Sequence, residues 1–395
     1  MVTWVFTYVF LGIAPLVQVR TGEDPATTLG IHHSLYGTAS LIVLGGAVAT
    51  LLGTAAASRA ADDRLEDAET RERSSAWRTY FLSYVCLGLF TYYAYKVGPS
   101  NLFVSRTELG VIREMVWPDK TTNAMIGAGA SMGLLVSMIA LIHLRHQQKR
   151  EGVRPAVLLP LLVLIALVAC VNPISTPRYV FGTALLALLA SLGLYKTLER
   201  FRLVTLSFVA GLVFVFPGLD AFRNSVSTAS VQSADALTSL TTGDFDAFAQ
   251  VVNTVEYVQR NGISNGNQLM GVIFFWVPRS FWPEKAVDTG TLLANMKGYW
   301  FTNLSAPLPA ELFINGGWIF LISGMIVFGF LIRRWDMRLN RLIRGGWVPS
   351  ILGCVMPFYM LILLRGSLLQ AVAFMAVILA AAAFVSPKKT GEFLR

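Results

Sequence analysis

Leu269 to Gly290 reads LMGVIFFWVPRSFWPEKAVDTG. An apolar run ends at Val277-Pro278, and Arg279, Phe281, Trp282, Pro283, Glu284, Lys285 and Asp288 follow. Large aromatics beside charge, just past an apolar segment, suit the headgroup layer of a membrane, where amphipathic rings settle. Leu269–Val277 is too short to span a bilayer and reads as re-entrant or interfacial. An arginine in that layer is a ready phosphate ligand, because its planar fork donates two bonds to one anion. The stretch lies in the one long segment that is not plainly hydrophobic, Asp220 to Pro309. The rest of the chain reads as a membrane scaffold around it.

Composition supports the scaffold. Of 395 residues, 54% are hydrophobic and 14% charged, against roughly 25% charged in soluble domains. Mean hydropathy is +0.58. The net charge of +9 would raise nucleic acid as a partner in a soluble protein. Here the positive residues sit between apolar runs, so topology accounts for them and no nucleic acid is expected. Cys86, Cys170 and Cys354 fall in different apolar runs and make neither a metal spacing nor a disulfide framework. No cleavable signal pattern is present.

Runs long enough to cross a bilayer, about 20 residues, lie near Val2–Val19, His33–Ala57, Thr79–Val97, Asn123–Leu144, Pro155–Val171, Tyr179–Tyr195, Leu203–Leu219, Ala310–Ile332, Trp347–Leu364 and Leu368–Val385. The expected fold is therefore all-α, a polytopic transmembrane helical bundle of about ten spans. Residues 1–395 form a single integral membrane domain, with 220–309 as one large loop. Arg59, Arg64, Arg71, Arg73 and Arg78 flank one connection. Arg145, Lys149, Arg150 and Arg154 crowd a second, Lys196, Arg200 and Arg202 a third, and Arg333, Arg334, Arg338, Arg341 and Arg344 a fourth. Lys388, Lys389 and Arg395 mark the tail. These alternate connections share one side, and the positive-inside rule makes it the cytoplasm. The loop 220–309 then faces outward, as do Arg20–Ile31, Gly98–Thr122, Asn172–Pro177 and the turn at Arg365-Gly366. This puts the N-terminus outside: either the first helix inserts that way, or upstream helices precede it. The cytoplasmic connections hold no P-loop and no dinucleotide fingerprint.

The outward segments carry more information. In Arg106–Trp117, Leu109, Ile112, Met115 and Val116 form one helical stripe, the pattern of a short interfacial helix. Asp244 is placed to cap a helix on which Phe245, Phe248, Val251, Val252, Val255 and Val258 share a face. Gly262 is placed to end it. That helix is expected on the membrane or on the bundle. Ser225–Thr242 is rich in Ser, Thr and Ala without a readable role.

Of the arginines on the outward side, where positive residues are under-represented, three stand out by their setting at tight connections or in the aromatic loop: Arg178, Arg279 and Arg365. Arg178 follows the tight Asn172-Pro-Ile-Ser-Thr-Pro177 connection, and Arg365 sits in the equally tight Leu364-Arg-Gly-Ser-Leu368. Snorkelling to headgroups is the competing explanation for each. Glu311, near the outward start of a helix, is a candidate base, although an acid there also stabilises the helix dipole. Glu256, Glu284 and Asp288 read as solvated. His32 and His33 are further base candidates near neutral pH; His143 and His146 lie among cytoplasmic basic residues. No cluster has metal-ligand spacing.

These residues resemble those of the bacterial O-antigen and exopolysaccharide repeat-unit polymerases, the Wzy type. The resemblance covers Asp244-Phe-Asp-Ala-Phe248, Gly271, Val277-Pro-Arg-Ser-Phe-Trp-Pro-Glu-Lys285, Glu311, Asn315-Gly-Gly317 and Arg365-Gly-Ser367. Arg279 and Gly290 also fit the R-x10-G spacing of such polymerases. Ala286 departs from the pattern, since related loops often have Pro there. About ten spans are also few for the group, and the first half matches only in hydropathy and loop plan.

The resemblance implies a GT-C-like glycosyltransferase that joins undecaprenyl-diphosphate-linked oligosaccharides outside the bacterial cytoplasmic membrane. It implies that Arg279 and Arg178 neutralise the departing diphosphate, that Arg365 holds it or the acceptor, and that Glu311, or else His32 or His33, is the base. The implied substrate-contacting residues are Trp282, Lys285, Gly290, Tyr179, His32 and His33. No nucleotide sugar, cofactor or obligatory metal is expected. The implied partners are the lipid-linked oligosaccharide, the bilayer, and a chain-length regulator and flippase of the same pathway. The rival readings are a flippase or transporter of lipid-linked oligosaccharide and an O-antigen ligase. A ligase usually presents a catalytic His in the large loop, and residues 220–309 contain none.

Overall fold

The computed structural model describes residues 2–60, 75–193, 197–210, 238–344 and 349–386. Arg64, Arg71, Arg73, Lys196, Lys388, Lys389 and Arg395 of the positive connections lie outside the described residues. So do most of Ser225–Thr242, the end of the run at Leu203–Leu219, and Trp347.

The described residues form helices joined by turns and loops, with no strand among them. In chain order they are α1 (Val2–Thr21), α2 (Tyr36–Arg59), α3 (Ala76–Val97), α4 (Arg106–Val116), α5 (Lys120–Arg150), α6 (Leu158–Cys170), α7 (Arg178–Ser191) and α8 (Leu198–Ala210). There follow α9 (Ala247–Asn261), α10 (Asn267–Ile273), α11 (Thr289–Lys297), α12 (Leu308–Arg344), α13 (Ile351–Arg365) and α14 (Leu368–Val385).

Five of these, α1, α2, α5, α12 and α14, are long and apolar enough to cross a membrane. The expectation of about ten spans is met only to that extent. Apolar helices α6, α7 and α13 have 13, 14 and 15 residues. The ends of α6 and α7 are marked by Pro155, by the connection Asn172–Pro177, and by Leu192-Gly193. Helix α3 has 22 residues, but Tyr80, Tyr84, Tyr92, Tyr93 and Tyr95 make it less apolar.

The chain gathers into two compact units. The first comprises Met1–Arg64, Thr197–Gly345 and Tyr359–Val372; the second comprises Leu65–Lys196, Gly346–Phe358 and Ala373–Arg395. In the first unit α2 lies against α12. The buried stripe of α2 is Ala39, Ile42, Gly46, Ala49, Thr50, Gly53 and Ala57, at helical spacing, while Leu41, Leu44, Val48, Leu51 and Leu52 are exposed. Small residues face the neighbour and leucines face out, the arrangement expected where lipid, not water, surrounds a helix pair. A Cβ on Gly53 would run into the Ile326 carbonyl, and one on Gly329 into the Thr50 carbonyl. The two backbones therefore touch at both glycines.

Helix α12 is broken at Gly316 and Gly317, which have non-helical dihedrals. Gly317, at φ 60° and ψ −146°, holds a conformation open essentially to glycine alone. The carbonyls freed by the break find donors in the turn before α10. Ser264 N–H bonds to the Ile314 oxygen (2.7 Å) and Gly266 N–H to the Asn315 oxygen (2.9 Å).

In the second unit α5 is central and mostly buried. Gly129 and Gly133 admit Leu89 and Cys86 of α3. Helix α4 forms where expected. Ser105 caps it by accepting from Glu108 N–H (3.3 Å). Leu109 is buried with Tyr93, Val97, Leu102, Trp117 and Ala130, and Ile112 and Val116 pack beside them, while Met115 is exposed.

Replacing Gly53 or Gly329 by valine should separate α2 from α12, at a cost at or above about 3 kcal/mol, the upper end for overpacking. The thermal midpoint of the detergent-solubilised protein should fall for both variants. Gly37→Val, where nothing lies within 4 Å of the added Cβ, is the control and should leave it in place.

Candidate functional site

Helix α9 is the spine of the first unit's polar core. Residues Ala247 to Glu256 are buried all round, so the helix lies inside the unit and not on its surface. The sequence placed Asp244 at its cap. Instead Gly243–Phe245 form a short 3-10 turn and Asp246 occupies the N-cap position. Phe245 is held in that turn by stacking on Phe10, with ring centroids 4.9 Å apart. Gly262, at φ 78°, ends α9 as expected, its N–H bonding to the Val258 oxygen.

Asp246 makes no side-chain cap. Its carboxylate, on a residue 2% exposed, accepts from Ser305 N–H (3.1 Å) and from Arg365 Nη2 (3.3 Å). The same Nη2 donates to the Gly243 oxygen (3.1 Å) and lies 3.9 Å from Asp244, whose side chain is 41% exposed. The Arg365 carbonyl accepts from Ala306 N–H (2.9 Å). Arg365 is thus tied to the start of α9 and to the segment before α12.

Glu311 closes the same hairpin at Leu368, three residues after Arg365. One carboxylate oxygen accepts from Leu368 N–H (3.0 Å), an otherwise orphaned donor in the first turn of α14. The other accepts from Thr289 Oγ1 (2.7 Å), while Thr289 N–H bonds to Ser367 Oγ (3.2 Å). Asn315 Nδ2 donates to the Glu311 carbonyl (2.7 Å). Glu311 is 1% exposed, and both its oxygens are engaged. The structure therefore brings Arg365 and Glu311 together at one hairpin tip, with Glu311 acting as a clasp between α11, α12 and α14.

The opening stretch folds as an irregular loop closed by its own cations. The buried Lys285 ammonium donates to the carbonyls of Phe275 (2.6 Å) and Val277 (2.9 Å). Arg279 donates from Nη1 to the Lys285 oxygen (2.6 Å) and from Nη2 to the Ala286 oxygen (2.9 Å). Trp282 is half-buried, while Phe281 at the tip is 83% exposed, and Ile273, Phe274 and Trp276 are exposed with it. Four carbonyls of a non-helical segment are thus satisfied without water, beneath an aromatic edge. A Cβ on Gly290 would meet the Leu304 carbonyl, so close packing of two backbones explains the glycine at that spacing.

The histidines lie toward the far end of α9. His32 Nε2 is 3.3 Å from Glu256, which also pairs with Arg260 and with Lys297 Nζ (3.0 Å). Glu256, read as solvated, is buried. His33 is 3.8 Å from Asp24 and packs on Tyr36. Asp246 and Glu256 are ten residues apart on one helix, about 15 Å at 1.5 Å per residue. His32 is therefore not grouped with Arg365. Between them lie Gln250 and Asn253, fully buried, with Asn253 3.5 Å from Tyr299 Oη. Burial raises the Tyr299 phenol above its ordinary pKa of 10.0, with the Asn253 hydrogen bond opposing.

Arg178 and Tyr179 belong to the second unit, at the start of α7 behind Pro177. Asn172 organises the turn before them, its Oδ1 accepting from Ile174 and Ser175 N–H groups (both 3.0 Å). Glu284 is exposed, and Asp288 caps α11 through Thr291 N–H (3.0 Å). Among the described residues no group of His, Cys, Asp and Glu is placed to hold a metal. Thr289 and Ser305 were not singled out from the sequence, and Asp246 and Ser367 fell within quoted motifs without being given a role. For Asp246 the signal was present: a second acid two residues after Asp244, directly ahead of an apolar helix.

No protein-family model, curated protein or solved structure matches the chain.

Glu311→Gln should cost about 1–3 kcal/mol, the penalty for a mismatched buried hydrogen bond, because its amide cannot accept at both oxygens. Thermal unfolding should show the loss. Thr289→Val, which removes one donor to the same carboxylate, should lower stability in the same direction.

Proposed function

We propose that the chain is a membrane-embedded glycosyltransferase, GT-C-like with about ten spans. It polymerises undecaprenyl-diphosphate-linked oligosaccharide repeat units into O-antigen or a related surface polysaccharide, on the outer face of the bacterial cytoplasmic membrane. The observation that carries the reading is the convergence of Arg365, Asp244, Asp246 and Glu311 at one hairpin tip. The loop holding the PRSFWPEK string ends three residues before Thr289, which is bonded to that tip.

In the reaction an acceptor sugar hydroxyl forms a bond to the anomeric carbon of the growing chain. The bond from that carbon to the diphosphate oxygen breaks, and the lipid diphosphate leaves with the electron pair. Arg365 stabilises the charge that develops on it. Arg279 uses two N–H groups on its own loop, and the other three of the five a guanidinium offers supply a second anchor. The acceptor proton goes to Asp244. That carboxylate is 41% exposed and stands beside Arg365, whereas Glu311 is enclosed and doubly bonded. A base must come within hydrogen-bond reach of the hydroxyl it serves, and His32 lies toward the opposite end of α9.

A flippase for the same lipid-linked sugars is the second reading. The break at Gly316-Gly317 favours it, because discontinuous helices recur in secondary transporters.

The test is to supply the purified protein with a defined undecaprenyl-diphosphate oligosaccharide and no nucleotide. Polymerisation gives a ladder of longer chains; lipid movement between vesicle leaflets without a ladder supports the flippase. Arg365→Gln should slow ladder formation about 100- to 1000-fold, as for loss of one anion-stabilising donor. Asp244→Asn should slow it about 100-fold or more, the contribution of a positioned base. Arg279→Ala should abolish the ladder in protein that is still inserted. Full-length polymer from that variant would remove Arg279 from the site.

A further inference from the structure

Asp246 occupies an N-cap position and declines to cap. A cap residue normally turns its oxygen back to the N–H groups of the first helical turn. Here the carboxylate points away, to Ser305 N–H and the Arg365 guanidinium. It is buried, whereas Asp244, the other acid near that guanidinium, is partly exposed. The backbone holds the arginine from a further side, through the Gly243 oxygen and through Ala306 N–H on the arginine's own carbonyl.

Three polar atoms next to this pair are buried with no hydrogen-bond partner: Arg365 Nε, Ser305 Oγ and Gln250 Nε2. Ser305 is the residue whose N–H binds Asp246, and Gln250 is one turn along α9 from it. Native interiors satisfy nearly all such atoms, and an exception calls for a reason. Two of the three are donors only, and the third donates as readily as it accepts. These unpartnered donors leave bonds that an anion can take at the guanidinium, in competition with Asp246 and Asp244.

We propose that Asp246 is the positioning residue of Arg365. It fixes the guanidinium by the Nη2 edge and competes electrostatically with the anion that Arg365 receives. The proposal rests on the reading of Arg365 as the diphosphate ligand. It has two opposed consequences. Removing the negative charge should let Arg365 bind a pyrophosphate group more tightly. It should also let the guanidinium leave the geometry in which it stabilises the departing group.

The experiment uses the full-length protein in detergent and the variants Asp246→Asn, Arg365→Gln and the double variant. Asparagine keeps an oxygen for Ser305 N–H and removes the charge. Inorganic pyrophosphate binding is measured by calorimetry, and turnover with the lipid-linked oligosaccharide is measured separately. The expected result for Asp246→Asn is tighter pyrophosphate binding, by roughly 3- to 10-fold, with kcat lowered about 10- to 100-fold and KM not raised. A residue that merely stabilises the fold would weaken binding and turnover together. That outcome, or unchanged kcat, overturns the proposal. The double variant should be no slower than Arg365→Gln alone; additive losses overturn it as well. If Asp246→Asn does not fold, the double variant should restore folding by removing the uncompensated buried charge, and failure to restore it counts against the pairing. If the wild-type protein binds pyrophosphate but makes no polymer, the enzymatic reading fails while the binding comparison still decides the role of Asp246.

Discussion

Every interruption of a helix among apolar neighbours exposes carbonyl and N–H groups that water does not reach, and each costs free energy until it finds a partner. The first unit is organised by how it meets that requirement. The break in α12 is met by the turn at Ser264 and Gly266. The irregular stretch after α10 is met by Lys285 and Arg279. The first turn of α14 is met by Glu311. The second unit does the same on a smaller scale, where Asn172 serves its own turn. The polar residues in this chain are spent first on repairing backbone.

That priority shapes the site. Glu311 stands where the hydrogen-bond repair of three helices meets, so its carboxylate is consumed by structure. Arg279 is likewise committed to backbone, through the Lys285 and Ala286 oxygens. Arg365 is held by Asp246, Asp244 and the Gly243 carbonyl. Asp244 stands at the edge of this network, 3.9 Å from Arg365 and 41% exposed.

Much of the fold was legible from residues alone. The long apolar runs, the helix after Asp244 with its stop at Gly262, the helix at Arg106–Val116, and the shortness of the segment at Leu269–Val277 all follow from periodicity and turn residues. Of the ten expected spans, five are long apolar helices among the described residues, and α6 and α7 fall at the expected runs Pro155–Val171 and Tyr179–Tyr195 but are shorter than them, α7 stopping ahead of Gly193. The cap at Asp244 was misplaced by two residues, because two acids in Asp244-Phe-Asp246 compete for one position and only tertiary contacts with Ser305 and Arg365 decide between them. Glu256 read as solvated because its partners, His32 and Lys297, are 224 and 41 residues away in the chain. Pairings of that kind leave no periodic trace.

The cation-closed loop has a consequence for the order of assembly. All four of its bonds join residues within 275–286, so it needs nothing distant to form, and local contacts of this kind form early. Glu311 has to wait for Leu368, and Asp246 for Arg365. The aromatic edge can therefore close from its own residues, whereas the polar centre closes only once the α13–α14 hairpin is in place.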